Sequence, residues 1–238
     1  MQRPAALMLA FALGTSAAGG MAFARDATSA RYQRAEVRGE SITHDARHIA
    51  DWAVHSRDHR GLPFIIVDKV YARAFAFDAA GRLIAQTPVL IGMAVGDTFA
   101  PGVVNLDMHQ TLPSQRITPA GRFFAEEDLN LKGQRVLWVD YDAAIAIHKL
   151  PSKRTKQRRH ERITSPYPVD HRITFGCINV PPAFYEAVVA RHFRRKGGIV
   201  YVLPDQAPLQ AFFKSYDVGQ ADAQAQARAL IPVSARRF

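Results

Sequence analysis

Apolar and polar positions alternate along this chain with two periods, and the change between them marks the elements. Over residues 43–57 Ile49, Trp52 and Ala53 fall on one stripe at helical spacing. Thr43 stands at the N-cap position and Asp45 in the first turn, and Gly61-Leu62-Pro63 closes the segment. The middle of the chain then reads as β. A dense apolar run over 64–70 is followed by 74–77, a turn at Asp78-Ala79-Ala80-Gly81, and a further run over 83–91. Residues 92–115 are broken by Gly96, Pro101, Gly102 and Pro113, and strand character returns over 135–148. A second helix is expected over 179–193. Its apolar stripe is Phe184, Tyr185, Val188, Val189 and Phe193, Asn179 is its cap, Pro181 and Pro182 form its first turn, and Gly197-Gly198 stops it. A last strand is expected over 199–203. Many short strands, few helices and no strand–helix alternation predict a mainly β fold, a sandwich or barrel carrying one or two helices.

The ends read differently. Arg3, the apolar run 5–13 and the small-x-small Ala22-Phe23-Ala24 have the pattern of a secretory signal cut before Arg25. The expected organisation is therefore a signal peptide over 1–24, a polar, mobile segment and helix over 25–62, a main domain over 63–204, and a tail over 205–238 that adds little to the core. No long uncharged apolar stretch follows residue 24, so no membrane span is expected in the mature chain. The expected location is the periplasm or cell envelope.

Charge and cysteine usage narrow the chemistry. The formal net charge is +10, which suits a polyanionic neighbour such as a wall polymer or a membrane surface. No nucleic-acid partner is expected of an exported chain. A single Cys excludes an intramolecular disulfide and, without a Cys/His cluster, argues against structural zinc.

That Cys lies in Thr174-Phe175-Gly176-Cys177-Ile178-Asn179. Placed just before the expected helix, Cys177 would have a lowered pKa, because unpaired backbone N–H groups and the helix dipole favour a thiolate. Gly176 would let backbone approach a substrate closely, and the amides around Cys177 would hold an oxyanion. The bland alternative is an inert thiol packed under the helix. In Ile145-Ala146-Ile147-His148, period two sends Ile145 and Ile147 to one face, and Ala144, Ala146 and His148 to the other. His148 could then take the thiol proton and return it to a leaving amine.

Three segments in order resemble the L,D-transpeptidase catalytic domain, the YkuD-like family, over roughly 64–203. Thr118-Pro119-Ala120-Gly121-Arg122-Phe123 is similar to its T-P-x-G-x-[FY] segment, Ile147-His148 to its His strand, and Thr174-x-Gly-Cys-Ile-Asn to its [ST]-H-G-C-x-[RN] motif. The resemblance implies a β-sandwich and acyl transfer through a thioester on Cys177, with His148 as base and then acid. It implies peptidoglycan stem peptides containing meso-diaminopimelate as donors, an amine or water as acceptor, and no metal or organic cofactor. A wall-attached protein is one conceivable acceptor. Gly176 and Thr174 would support the oxyanion, and Phe175, Asn179, Arg172 and His171 would face substrate.

The chain departs from the pattern at Phe175, where the family has His, and at Lys149, where a small residue is common. The interval from His148 to Cys177 is also longer, and includes the basic run 149–162 with Lys149, Lys153, Arg154, Lys156, Arg158, Arg159 and Arg162. That run reads as a lid, a clamp for anionic wall polymer, or a solvated loop. A transpeptidase, a thioester-forming hydrolase and an inactive wall-binding module all remain open at this level.

Overall fold

A computed structural model describes residues 33–99, 110–151 and 157–230. The expected signal segment 1–24 and residues 152–156 of the basic run lie outside the described residues. Ten strands form among the described residues: β1 (Phe64–Asp68), β2 (Arg73–Phe77), β3 (Leu83–Pro88), β4 (Ile91–Gly92), β5 (Gly121–Leu129), β6 (Arg135–Asp140), β7 (Ile145–Lys149), β8 (Arg172–Thr174), β9 (Ile178–Val180) and β10 (Gly198–Val202). Eight of them line up in the order β3-β2-β1-β10-β5-β6-β7-β9, and β4 pairs with β8 apart. The mainly β class read from the pattern is the one adopted.

β5 is the hinge of the architecture. Its residues Gly121 to Ala125 pair with β10, and Glu126 to Leu129 pair with β6. One strand thus serves two half-sheets, whose inner faces share one core. Ile65, Val67, Ala74 and Ala76 of one half meet Leu137, Ile145, Ile147, Ile178 and Val180 of the other. Phe184, Tyr185, Val188, Val189 and Phe193 fill the same core from α3, which runs over Pro182–Phe184 and continues in wider π-helical turns over Tyr185–Phe193.

β1 is buried at every position because both of its faces are covered. Ile65 and Val67 face the shared core, while Phe64 and Ile66 face a second core under α1 (His44–His55). There Ala46, Ile49, Ala50 and Ala53 pack on Phe75, Phe77 and Tyr201, and the Phe64 and Phe77 rings stack at 4.6 Å. Each fully buried side chain of this size contributes roughly 1.5–3 kcal/mol.

Several expected elements are corrected. Thr43 does occupy the N-cap of α1, but its hydroxyl makes no capping bond and donates instead to Asp68 Oδ2 at 2.6 Å. Residues 33–40 are not a loose tail: Ala35 is buried in the second core, and Glu36 bridges to Arg82 through backbone bonds to Gly81 and Leu83. The tail after 204 also joins that core through Phe213 and Val218, the latter opening α4 (Val218–Leu230). β5 has no counterpart among the expected elements, because Arg122, Glu126, Glu127 and Asp128 give it a polar composition. The stretch 135–148 divides into β6 and β7 around a turn in which Ala144 takes a left-handed φ of 54°.

The correction that matters most lies beside the thiol. Ile178–Val180 is a strand, and helix begins only at Pro182. The strand wins because its backbone is fully engaged: it pairs in parallel with β7, and Asn179 exchanges two bonds with Leu90, at 2.8 and 3.0 Å. Pro181 and Pro182, lacking N–H groups, end that pairing and open the helix.

Candidate active site

The loop that carries Cys177 is held by hydroxyl groups. Thr174 Oγ1 donates to the Cys177 carbonyl at 2.6 Å and accepts the Gly176 N–H at 3.1 Å. Thr118 Oγ1 donates to the Gly176 carbonyl at 2.7 Å and accepts the Gly92 N–H at 2.8 Å. The Thr118–Phe123 segment thus reaches the site through a buried threonine that ties β4 to the loop. Thr174 acts as a loop brace, and because it takes up the Gly176 amide, that amide is not offered to an oxyanion. Gly176 is required for another reason. Its φ is +133°, and a Cβ there would lie 2.6 Å from the Ile117 carbonyl oxygen and 2.7 Å from Ile145 Cδ1. That close approach is to protein atoms.

A buried cation supports this loop from behind. The Lys69 side chain is fully buried, and its Nζ donates to the carbonyls of Gly96 at 2.6 Å and Thr118 at 2.9 Å, and to Asp97 Oδ1 at 3.0 Å. Asp205 lies 3.4 Å from the same nitrogen. Asp97 in turn accepts the backbone N–H groups of Asp205, Gln206 and Ala207.

Cys177 is half-buried and immediately precedes β9. The register Ile147↔Ile178 and His148↔Asn179 sets Cys177 opposite Ala146. Cys177 and Asn179 therefore share a face of β9 with His148 on β7. The sulfur lies 3.4 Å from the Ala144 carbonyl oxygen, to which the thiol donates. Burial pushes the Cys177 thiol above its ordinary range, and the Ala146 N–H and the Arg159 charge pull it back only in part. The lowered thiol pKa expected from a helix start is overturned: no helix begins at Cys177, and desolvation dominates. Burial likewise holds His148 below the usual imidazole range, opposed by a backbone bond at Lys149 and reinforced by Arg159. Near neutrality the pair is thus a thiol and an uncharged imidazole, the form in which the imidazole can accept a proton.

Asn179 is fully buried and links the two strands to a third element. Its Nδ2 sits 3.1 Å from Nε2 and 3.4 Å from Nδ1 of His148, so the amide lies across the ring. Its Oδ1 accepts a bond from Arg159 Nη1. Arg159 opens the one-turn α2 (Arg159–Arg162) in the segment between β7 and β8. The described residues of that segment pack as a lid. Ile163 and Leu150 are buried against Leu90, Arg162 Nη1 donates to the Asp170 carbonyl at 2.9 Å, and Ser165 Oγ donates to Asp170 Oδ2 at 2.5 Å. Among the described charges of the basic run, Lys149 pairs with Glu186 at 2.7 Å, Arg158 with Glu161, and Arg159 with Asn179.

Three residues expected to face substrate have partners within the protein. Arg172 spans a part-buried pair with Asp205 at 2.5 Å and donates to the Ala94 carbonyl at 3.1 Å, so its guanidinium is spent on the Lys69 network. His171 is buried, with its ring nitrogens 2.9 Å from the Val89 carbonyl and 3.0 Å from that of Ser165, fastening the lid. Phe175 is half-exposed beneath the Arg116 guanidinium, 3.8 Å from the ring centroid, a cation–π contact where the family motif has His. Asn179 does belong to the site, but as a strand residue rather than a helix cap. Sequence reasoning missed Arg159, one of many basic residues in its run, and the Ala144 carbonyl, which only the turn brings to the sulfur.

No family model matches the chain, and no curated protein matches it. Solved structures do. An L,D-transpeptidase from Xylanimonas cellulosilytica aligns at 14% identity and TM-score 0.37, covering 59% of this chain and 60% of its own. The chain is similar to L,D-transpeptidase catalytic domains. The catalytic domain of the E. faecium L,D-transpeptidase aligns at 16% identity and TM-score 0.37, over 59% of this chain and 95% of that one. The helical cell shape determining protein Pgp2 from Campylobacter jejuni aligns at 14% identity and TM-score 0.39, over 61% of this chain and 49% of its own. The chain thus spans less than two thirds of the Xylanimonas and Campylobacter structures.

Proposed function

We propose that this chain is a cysteine acyltransferase of the L,D-transpeptidase family, acting on peptidoglycan stem peptides in the cell envelope. The observation that carries the reading is the shared face of β7 and β9, where a half-buried thiol and an uncharged imidazole stand on neighbouring strands. The three ordered sequence segments support it: Thr118 bonds the loop that carries Cys177, His148 lies on β7, and Cys177 precedes β9.

The chemistry follows from the resting protonation states. His148 takes the Cys177 proton as the sulfur attacks the carbonyl of a stem peptide, forming a C–S bond and a tetrahedral oxyanion. Collapse breaks the C–N bond, and His148 returns the proton to the departing amine, D-alanine for a tetrapeptide donor. An acceptor amine then attacks the thioester, gives its proton to His148, and regenerates the thiol as the new amide forms. The step needs no thiolate at rest, which fits a sulfur whose anion burial disfavours.

The test is mass spectrometry of the purified protein with diaminopimelate-containing tetrapeptide stems. Cross-linked dimer with released D-alanine supports the reading, whereas trimmed stem without dimer points to water as acceptor and a hydrolase. A protein that forms no adduct at Cys177 with the stems or with a carbapenem, while remaining folded, sinks the enzyme reading in favour of a wall-binding module. Cys177→Ala should abolish every adduct.

A further inference from the structure

We propose that Arg159 is a positioning residue of the Cys177 site, carried in by the lid, and that its charge makes the site select reagents and substrates that bring a carboxylate close to the sulfur. The inference rests on Cys177 as the nucleophile and goes beyond it, to the residue that sets the charge of the site.

The geometry is a column of three side chains. Arg159 donates to Asn179 Oδ1, and this orients the amide so that Nδ2 lies across the His148 ring. Asn179 follows Cys177 by two positions on the same strand face, roughly 6–7 Å along β9. A guanidinium bonded to Asn179 therefore stands over the face that holds the sulfur. It cannot lose its charge near neutrality. Its influence on both partners is in keeping: it favours the anion at Cys177 and disfavours the cation at His148. With thiol and imidazole both uncharged at rest, Arg159 leaves the site net positive. An incoming carboxylate is drawn to such a site, and the oxyanion formed on attack is stabilised there.

The lid is anchored so that this placement is reproducible. Ile163 is buried against Leu90, the His171 ring lies 2.9 Å from the Val89 carbonyl, and Arg162 ties the lid to itself at the Asp170 carbonyl. The neighbouring Arg158 is instead exposed and paired with Glu161. It provides an internal control, an arginine on the same lid that is not part of the column.

Because the chain has a single Cys, alkylation reports on Cys177 alone. The experiment compares the rates of modification by iodoacetate and by iodoacetamide, which differ in charge and little in size, in the full-length protein. The expected result is that Arg159→Gln lowers the iodoacetate-to-iodoacetamide ratio several-fold at low salt and that added salt erases the difference. Arg159→Lys should retain most of the ratio, and Arg158→Gln should leave it unchanged. A ratio unaffected by Arg159→Gln in a protein that melts like the parent, or lowered equally by Arg158→Gln, overturns the proposal. If Arg159→Gln fails to fold, Arg159→Lys decides: a retained ratio supports the proposal, and a collapsed one overturns it. Failure to turn over stem peptides would leave this result intact, so the two readings fail separately.

Discussion

The hydroxyl of Thr118 donates to the carbonyl of Gly176 at 2.7 Å, joining residues 58 positions apart and fastening the Cys177 loop to the segment before β5. The same oxygen accepts the Gly92 amide, so one buried side chain satisfies two backbone groups. Thr118→Val keeps the shape and leaves both groups unpaired, at a cost of about 1–3 kcal/mol for each buried group. Chemical denaturation should show a loss in that range, with Thr118→Ser close to the parent. Acylation of Cys177 should fall further than stability alone explains, because the loop carrying the thiol loses its tether.

Gly176→Ala should be worse. The new Cβ would be forced against the Ile117 carbonyl oxygen and Ile145 Cδ1, in a backbone conformation that side chains rarely adopt. Loss of about 2–4 kcal/mol is expected from strain and overpacking together. Thermal melts and Cys177 alkylation should decline together. A variant with parental melting and parental alkylation would contradict the packing described.

Lys69 is a test of the buried cluster behind the loop. Lys69→Met removes the cation, leaves the carbonyls of Gly96 and Thr118 without their donor, and leaves the carboxylates of Asp97 and Asp205 with Arg172 as their cation. Breaking a buried pair in this way costs about 3–5 kcal/mol. Adding Asp205→Asn to Lys69→Met should recover part of the loss, as a double-mutant cycle in urea would reveal.

The pH dependence has a definite sign. A base that works unprotonated and whose pKa is held down gives an acylation rate that falls on the acid side, with a midpoint below the ordinary 6.5. The same depression links to stability. The unfolded chain takes up the His148 proton before the folded chain does, so stability is present above pH 6.5 and is lost as pH falls through the folded value. His148→Gln should abolish acylation and reduce this acid-side loss. Urea midpoints between pH 5 and 7.5, compared for the two proteins, check the second part.

The sequence by itself determined the class of the fold and singled out the candidate pair Cys177 and His148. Runs such as 64–67 and 199–202 are apolar at every position, so they must be strands covered on both faces, and they are neighbours in the sheet. The stripe Phe184, Tyr185, Val188, Val189 and Phe193 found its helix for the same local reason. Cys177 and His148 were legible because few residue types can exchange a proton with a nucleophile. What only tertiary structure decided is the environment of that pair. Ile178–Val180 satisfies its backbone against β7 and Leu90, partners distant in sequence, so the thiol meets a strand and a desolvated face rather than a helix dipole. Arg159 is one cation among many until the lid folds back on Leu90, and Arg172 and His171 were free to face substrate until Asp205, Val89 and Ser165 claimed them. Periodicity reports which face of an element is buried; long-range hydrogen bonds and burial, which no local pattern encodes, set the charge state at the sulfur.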